Sequence, residues 1–298
     1  MKKAFLQLHL AVFLAGFTAI LGKLIELNEV LLVFYRVLIA VPVLAVLIAF
    51  RSGFKSLNPK YAFQAAAVGC IIAIHWVAFY ASVKYANVSV ALVCFAATGF
   101  FTALLEPLVL KKRIEVTELM LGLLSIAGIY IIFDFYPQFQ TGIIFGVIAA
   151  VGSALFPIFN KQLLNHLSPA HLTLFSLSGC VLFLPLVIPV YLQFFPAAYA
   201  YPTATDWLWL TVLAILCTII PFDLQLKSLR KISAFTVNLT YNLEPFYGIG
   251  MAFAIFGEHR EIGWKFYLGM LLVMISLLLQ MYRVWRQPER KQVVIKNE

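Results

Sequence analysis

One short segment of this largely apolar chain concentrates polar side chains. It runs from Asn238 to Pro245 and holds two asparagines, a threonine, a tyrosine and the carboxylate of Glu244. Asn238, Asn242 and Pro245 are spaced by four and three residues, which places them on one helical face, with Tyr241 and Glu244 beside it. Pro245 lacks a backbone N–H, so it predicts a local break in the helix. A carboxylate here can bind an amine or exchange a proton; the competing interpretation is that these side chains hydrogen-bond between helices.

A second candidate is Arg36, which follows Phe34 and Tyr35 in another apolar run. Counted from Glu29 along a helix, it lies about 10 Å from the helix end. A guanidinium binds carboxylates and phosphates through paired N–H donors, so Arg36 is interpreted as an anchor for such a group. The alternative is a structural ion pair with Glu26 or Glu29.

A third group combines a histidine with aromatic residues. His75, Trp76 and Tyr80 recur at helical spacing, and a histidine there can relay protons or bind a ligand, although a buried core histidine is the alternative. The complete set of candidate binding residues is Arg36, His75, Trp76, Tyr80, Asn238, Tyr241, Asn242 and Glu244.

Signatures of catalysis are missing from the sequence. It has no Gly-x-Ser-x-Gly, no phosphate-cradling glycine loop and no paired Cys or His spacing, so we predict no catalytic residues, no metal and no cofactor. ATP-driven work by this chain alone is therefore not expected. The four cysteines all lie in apolar segments and are predicted to be core residues: Cys70, Cys94, Cys180 and Cys217.

The composition shows whether water or lipid surrounds most of the chain. Apolar residues make up 63% of the 298 residues and charged residues only 12%, about half of the roughly 25% typical of soluble domains. Most of the chain must therefore face the lipid bilayer. The net charge of +9 comes from short basic clusters between apolar runs, so it does not predict a nucleic-acid partner.

About 20 apolar residues are needed to cross a bilayer as a helix. That length gives ten candidate spans: 4–22, 30–50, 62–83, 88–110, 117–133, 142–160, 171–191, 207–226, 234–256 and 264–282. Asn58-Pro59 and Ser168-Pro169 are among the signals that separate them. We divide the chain into a first five-helix repeat (1–136), a second (137–282) and a basic tail (283–298).

The basic residues predict an orientation. Segments on the side of both termini hold 17 of the 22 Lys and Arg residues and the opposite loops hold four, so both termini are predicted to be cytoplasmic. Lys23 and Lys161, at the ends of the first and sixth spans, are expected to extend into the interface. Asp223 is expected to form a local pair with Lys227.

The two halves of the sequence resemble each other. Phe79-x4-Lys84 near the end of the third span corresponds to Phe222-x4-Lys227 near the end of the eighth. Aligning the ends of the fourth and ninth spans places Thr98-Gly99 opposite Glu244-Pro245. Because five is odd, the second copy must enter the membrane from the other side. The predicted fold is an all-α integral membrane protein of ten transmembrane helices in two inverted five-helix repeats.

With these features the sequence resembles the drug/metabolite transporter superfamily, in its EamA-type branch. Local matches are Lys84-Tyr85-Ala86 after the third span and Gly257-Glu258 after the ninth. In that family the fourth helix of each repeat usually ends in an acidic-basic pair. The second copy keeps Glu258 with His259, whereas the first reads Lys111-Lys112-Arg113 and lacks the acid. The resemblance implies export or exchange of small metabolites across a bacterial-type inner membrane.

The function predicted is therefore secondary transport of small metabolites such as amino acids, by alternating access. Arg36 would attract a substrate carboxylate, Glu244 an amine, and Glu244 is also the candidate for proton coupling. A lipid or head-group flippase of similar architecture is the main alternative, and an intramembrane lipid-modifying enzyme is a weaker one because the acids are scattered in depth. The sequence indicates no oligomeric state.

Overall fold

The structure, a computed structural model, describes residues 2–51, 53, 58–111, 113–232, 237, 240–241 and 243–286. Within these ranges the regular structure is helical and contains no strand. The helices of the first half are α1 (Lys2–Leu24), α2 (Glu29–Arg51), α3 (Pro59–Tyr85), α4 (Val88–Phe95), α5 (Thr98–Leu110) and α6 (Val116–Phe135). Those of the second half are α7 (Gln140–Leu163), α8 (Pro169–Phe194), α9 (Ala204–Ala214), α10 (Ile220–Leu229), α11 (Glu244–Phe256) and α12 (Trp264–Arg286). A π-helical segment, Ile215–Ile219, joins α9 to α10.

The helix lengths agree with the predicted spans. In the described part of the chain, eight helical segments are long and apolar enough to cross a membrane: Ala4–Leu24, Glu29–Phe50, Pro59–Tyr85, Val88–Leu110, Val116–Phe135, Pro137–Leu163, Pro169–Phe194 and Ala204–Leu229. Glu244–Phe256 and Trp264–Leu279 are two shorter apolar helices at the positions of the ninth and tenth spans. Many large apolar side chains point outward, such as Phe50 and Phe63, as expected for a surface in contact with lipid. The prediction of an all-helical, ten-span membrane protein is confirmed.

Two helices begin where the sequence predicted a boundary. Asn58 caps α3 by accepting a hydrogen bond from the Lys60 N–H, and Ser168 caps α8 by accepting from the His171 N–H. A proline follows each cap at the first helical position, where its missing N–H leaves no helical bond unmade.

The fourth and ninth spans are interrupted in the same way. The fourth span breaks between α4 and α5, and α5 then runs for 13 residues from Thr98. In the ninth span α11 also runs for 13 residues, from Glu244. Each ends at a residue in the left-handed conformation, Lys111 with φ of 52° and Gly257 with φ of 66°. Thr98 and Glu244 are therefore structural counterparts, as the alignment of span ends predicted.

Helix contacts also occur in corresponding pairs. α1 packs on α10, and α7, the sixth-span counterpart of α1, packs on α3. α4 packs on α11 and α6 on α12, so the fourth and fifth spans of each repeat meet their own counterparts. These contacts have the pattern expected when two copies of one unit are related by a pseudo-two-fold axis in the membrane plane.

Small residues permit the closest of these approaches. A Cβ added at Gly69 of α3 would lie 2.0 Å from the Ser176 carbonyl oxygen of α8, and one at Gly179 would lie 2.0 Å from the Ala66 oxygen. Without a hydrophobic driving force between helices in lipid, such backbone contact is a main source of helix association. α3 and α8 are thus packed closely against each other.

Candidate functional site

A small cavity lies between the two halves, near the middle of the spans. Its volume is about 70 Å³, enough for several waters or part of a small ligand in this conformation. The polar lining residues are Thr18, Arg36, His75, Ser153, Thr218, Gln225, Tyr241 and Glu244. The rest of the wall is mainly aromatic and includes Trp76, Phe79, Phe95, Phe156 and Phe222.

Arg36 on α2 supplies the positive charge of this cavity and is 2% exposed. Its Nε donates to the Thr218 hydroxyl at 2.6 Å, Nη1 to the Tyr80 hydroxyl at 2.8 Å and Nη2 to the Cys217 carbonyl at 3.1 Å. The guanidinium carbon also lies 3.9 Å from the centroid of the Trp76 ring, a cation–π distance. Four neutral groups therefore hold the guanidinium in place.

The carbonyl that Arg36 uses lacks its regular α-helical donor because of a proline. In a regular helix the Cys217 oxygen would accept from the N–H of residue 221, and Pro221 has none. The surrounding turn is the π-helical segment, in which the Thr218 hydroxyl donates to the Leu213 oxygen at 2.7 Å. The same hydroxyl oxygen accepts from Arg36. Thr218 thus binds the guanidinium through its side chain, and Pro221 leaves the Cys217 carbonyl without its regular helical donor. Such π segments are frequent at functional sites.

Glu244 supplies an ionisable carboxyl group and is 4% exposed. It is the first residue of α11, where the positive end of the helix dipole favours a carboxylate, and Pro245 fits the first helical turn. The break that Pro245 predicted in the ninth span thus lies directly before Glu244. Because Arg36 and Glu244 line the same cavity, its wall holds a guanidinium and an ionisable carboxyl group.

His75 on α3 faces the cavity with a defined tautomer. Its Nδ1 lies 2.7 Å from the Ala149 carbonyl oxygen, which can only accept, so Nδ1 carries the hydrogen. Nε2 is then the nitrogen available to accept from a ligand. The ring is held between Phe95 and Phe156, with centroids 5.6 Å and 5.9 Å away.

Most of the predicted binding residues meet at this cavity. Arg36, His75, Trp76, Tyr241 and Glu244 line it, and Tyr80 lies behind Arg36 as its hydrogen-bond partner. Asn238 and Asn242 lie outside the described residues.

The alternative interpretation of Arg36 does not match its contacts. Its hydrogen bonds go to Thr218, Tyr80 and the Cys217 backbone rather than to Glu26 or Glu29. Glu29 instead accepts a hydrogen bond from Tyr191.

Several lining residues were not anticipated from the sequence. Thr18, Ser153, Thr218 and Gln225 join the site only through helix packing. The sequence did contain a signal for Thr218, which lies three residues before Pro221. That spacing places its hydroxyl group beside the carbonyl that the proline leaves without its helical N–H donor. Among the described residues, no group of three His, Cys, Asp or Glu side chains is placed to hold a metal ion.

Two other predictions concern side chains at the helix ends. Asp223 pairs with Lys227 one turn later, as expected. Lys23, predicted to extend into the interface, donates instead to Glu258 at 2.8 Å.

The sequence of the chain identifies its family. The family model of the EamA-like transporters matches residues 2–134 and again residues 140–282. The chain belongs to the EamA-like transporter family. This EamA-like transporter is 26% identical over 275 residues to the uncharacterized transporter YetK of Bacillus subtilis (strain 168), covering 87% of the chain and 81% of that protein. It is 24% identical over 147 residues to an uncharacterized transporter of Archaeoglobus fulgidus, about half of each chain (49% and 51%).

A solved structure shares the fold of this EamA-like transporter. That crystal structure of a protein superposes with a TM-score of 0.66 over 96% of this chain and 99% of the other, at 14% identity. The family and the relatives' names identify a multi-pass membrane transporter, which agrees with the apolar helices.

Proposed function

We propose that this EamA-like transporter is a secondary transporter that exports small zwitterionic metabolites such as amino acids, by alternating access. The observation that carries the proposal is the central cavity, whose wall holds a buried guanidinium and a buried carboxylate. Charged groups at membrane depth are costly, by about 3 kcal/mol on insertion scales, and they mark substrate pathways. One charge of each sign matches the two charged ends of an amino acid.

The donors of Arg36 suit a carboxylate. A guanidinium has five N–H groups, two each on Nη1 and Nη2. The contacts with Tyr80 and the Cys217 oxygen use one from each of these nitrogens. One N–H on Nη1 and one on Nη2 remain, which is the number of donors that a carboxylate bound through both oxygens needs. A substrate can therefore bind Arg36 without displacing the groups that position it.

In this proposal Glu244 both binds the amine of the substrate and couples transport to protons. Glu244 would bind the substrate ammonium when ionised, and would take up a proton once the substrate leaves. A carboxylate that alternates between these partners couples transport to a proton gradient. The Nε2 of His75 faces the same cavity and would accept a hydrogen bond from the substrate.

The two ends of the bundle support the proposed direction of transport. We call the end that holds Lys2 and Arg286 the terminal end, and the end with the loops 25–28, 86–87, 195–203 and 257–263 the distal end. The cavity wall reaches Gln225, four residues before α10 ends at the terminal end. At the distal end Ile25, Leu27, Asn87 and Glu258 are all buried. With the Lys and Arg bias placing the terminal end in the cytoplasm, this supports loading from inside the cell and release across the inner membrane.

Counterflow in proteoliposomes tests the proposal. Vesicles loaded with unlabelled amino acids should accumulate labelled amino acid through this protein, and Arg36→Met should abolish the accumulation because the carboxylate loses its anchor. A matched set loaded with lipid head-group carriers tests the flippase alternative. Accumulation of labelled head groups, with none of labelled amino acids, would favour the flippase and refute the proposed substrate class.

A further inference from the structure

Glu258 lies at the centre of a polar contact at the distal end. It follows Gly257 at the end of α11 and is fully buried. Its carboxylate accepts four hydrogen bonds: from Lys23 Nζ at 2.8 Å, Val88 N at 3.1 Å, Ser89 N at 2.9 Å and Ser89 Oγ at 2.6 Å.

Two of these donors belong to the exposed end of another helix. Val88 and Ser89 are the first residues of α4, whose first N–H groups have no partner within the helix. Asn87 accepts from the next N–H, that of Val90, at 2.8 Å. Glu258 and Asn87 together therefore occupy the first three donors of α4. The negative charge also lies at the positive end of the helix dipole.

The surroundings keep Glu258 ionised. Burial raises the pKa of its carboxyl, but the hydrogen bonds from Lys23 and Ser89 outweigh burial and hold the pKa below its usual value. The contact is thus a charged link between a carboxylate, an ammonium and a helix end.

This link joins the two halves of the protein. Glu258 belongs to the second half, whereas Lys23, Val88 and Ser89 belong to the first. Separation of the halves at the distal end would break all four hydrogen bonds and expose the first turn of α4.

The terminal end has no acid at the sequence position that corresponds to Glu258. Lys111 ends α5 in the left-handed conformation, as Gly257 ends α11, but the next residue in the sequence is Lys112 rather than a glutamate. Lys161 of α7, the counterpart of Lys23, donates to the carbonyls of Leu229 and Ile232, which belong to its own half. The halves are joined at the terminal end by a different contact, in which Arg283 on α12 lies 3.3 Å from a Glu115 oxygen and 3.5 Å from a Glu118 oxygen.

We propose that Glu258 is the latch of the distal gate, which keeps that end closed while substrate enters from the terminal end. This inference rests on the alternating-access mechanism proposed above. Opening toward the distal side then requires Glu258 to release Lys23 and the start of α4. The ion pairs of Arg283 at the terminal end are partly exposed and therefore weaker than the buried contacts of Glu258, so the latch sets the resting direction of the transporter.

A native thiol can report the opening. Cys217 lines the central cavity, so a membrane-impermeant thiol reagent reaches it only from an open side. The reagent is applied to intact cells and, separately, to inside-out membrane vesicles, and modification of the Cys217 peptide is followed by mass spectrometry. Cys217→Ala provides the blank. The measurement needs no substrate, so a wrong substrate class would leave it valid.

Glu258→Gln keeps the size of the side chain and removes its charge. We expect labelling of Cys217 from the distal face to become about tenfold faster, because a charged hydrogen-bond network of this kind shifts an equilibrium by roughly that factor. Labelling from the terminal face should slow. Ser89→Ala removes a single hydrogen bond and should give a smaller change in the same direction, which keeps the test open if Glu258→Gln folds poorly.

The control is Glu261→Gln, which removes an exposed acid three residues later and should leave both labelling rates unchanged. A lower melting temperature in Glu258→Gln and Ser89→Ala, with distal labelling as slow as in the parent, would show that the contact only stabilises the fold. That result would overturn the proposal.

Discussion

Replacement of Arg36 by lysine tests whether the guanidinium fork, rather than its charge, makes the site. Arg36 reaches the Thr218 hydroxyl, the Tyr80 hydroxyl and the Cys217 carbonyl through three different nitrogens, at 2.6, 2.8 and 3.1 Å. The single nitrogen of lysine cannot replace a rigid fork of this shape. If it keeps one of the three partners, two charge-assisted hydrogen bonds of about 1.5 kcal/mol each are lost. Arg36→Lys should therefore lower the free energy of unfolding by about 3 kcal/mol, and the melting temperature by on the order of 5 °C.

The same change should weaken substrate binding. Lysine carries the positive charge but offers no paired donors to a carboxylate, so the concentration for half-maximal counterflow should rise by roughly tenfold to a hundredfold. Two variants calibrate the measurement. Thr218→Val removes one partner but keeps the guanidinium, and should cost about 1 kcal/mol of stability with little change in affinity. Arg113→Lys changes an exposed arginine far from the cavity and should alter neither quantity.

Melting of the purified protein in detergent and counterflow in proteoliposomes provide the two measurements. An Arg36→Lys protein whose half-maximal concentration rises no more than that of Thr218→Val would refute the reasoning, since the fork would then make no contact with substrate.

Three further changes test other parts of the molecule. Glu244→Gln should remove the uptake driven by an imposed proton gradient while leaving the protein folded; undiminished pH-driven uptake excludes Glu244 as the coupling group. The pKa of Glu258 in the folded protein lies below its ordinary value of 4.5, so its carboxylate contributes fully to stability when the pH is above 4.5. This contribution is lost as the pH falls through the lower pKa of the folded state. The melting temperature of Glu258→Gln should accordingly depend less on pH between about pH 3 and 5 than that of the parent. Gly69→Ala should destabilise the protein by about 1–3 kcal/mol because its Cβ would meet the Ser176 oxygen at 2.0 Å, whereas Gly250→Ala, with open space at its Cβ, should be near neutral in the same melting assay.

Much of the fold was predictable because its signals are local. The spans follow from runs of apolar residues, and the starts of α3 and α8 follow from Asn58-Pro59 and Ser168-Pro169. The break before Glu244 follows from Pro245, which cannot continue a regular helix. Each of these features depends on residues a few positions apart.

The partners within the site depend on contacts between distant helices and were not predictable in the same way. Arg36 and Glu244 stood out because ionisable groups are rare at membrane depth, but nothing near Arg36 in the sequence indicates that Thr218, 182 residues away, accepts from it. Lys23 gave no sign of its pairing with Glu258, which is 235 residues later. The roles of Asn238 and Asn242 stay predictions.

The hydrogen-bond partners of Arg36 also bear on how the substrate specificity of such a transporter can change. One of its three hydrogen-bond partners is a main-chain oxygen, which every residue at position 217 would present as long as Pro221 withholds its N–H. Substitutions of Trp76, Phe79, Phe156 or Phe222 can therefore reshape the wall without removing that backbone contact. New specificities can then arise by exchanging wall side chains one at a time, while the carboxylate site proposed for Arg36 keeps this contact.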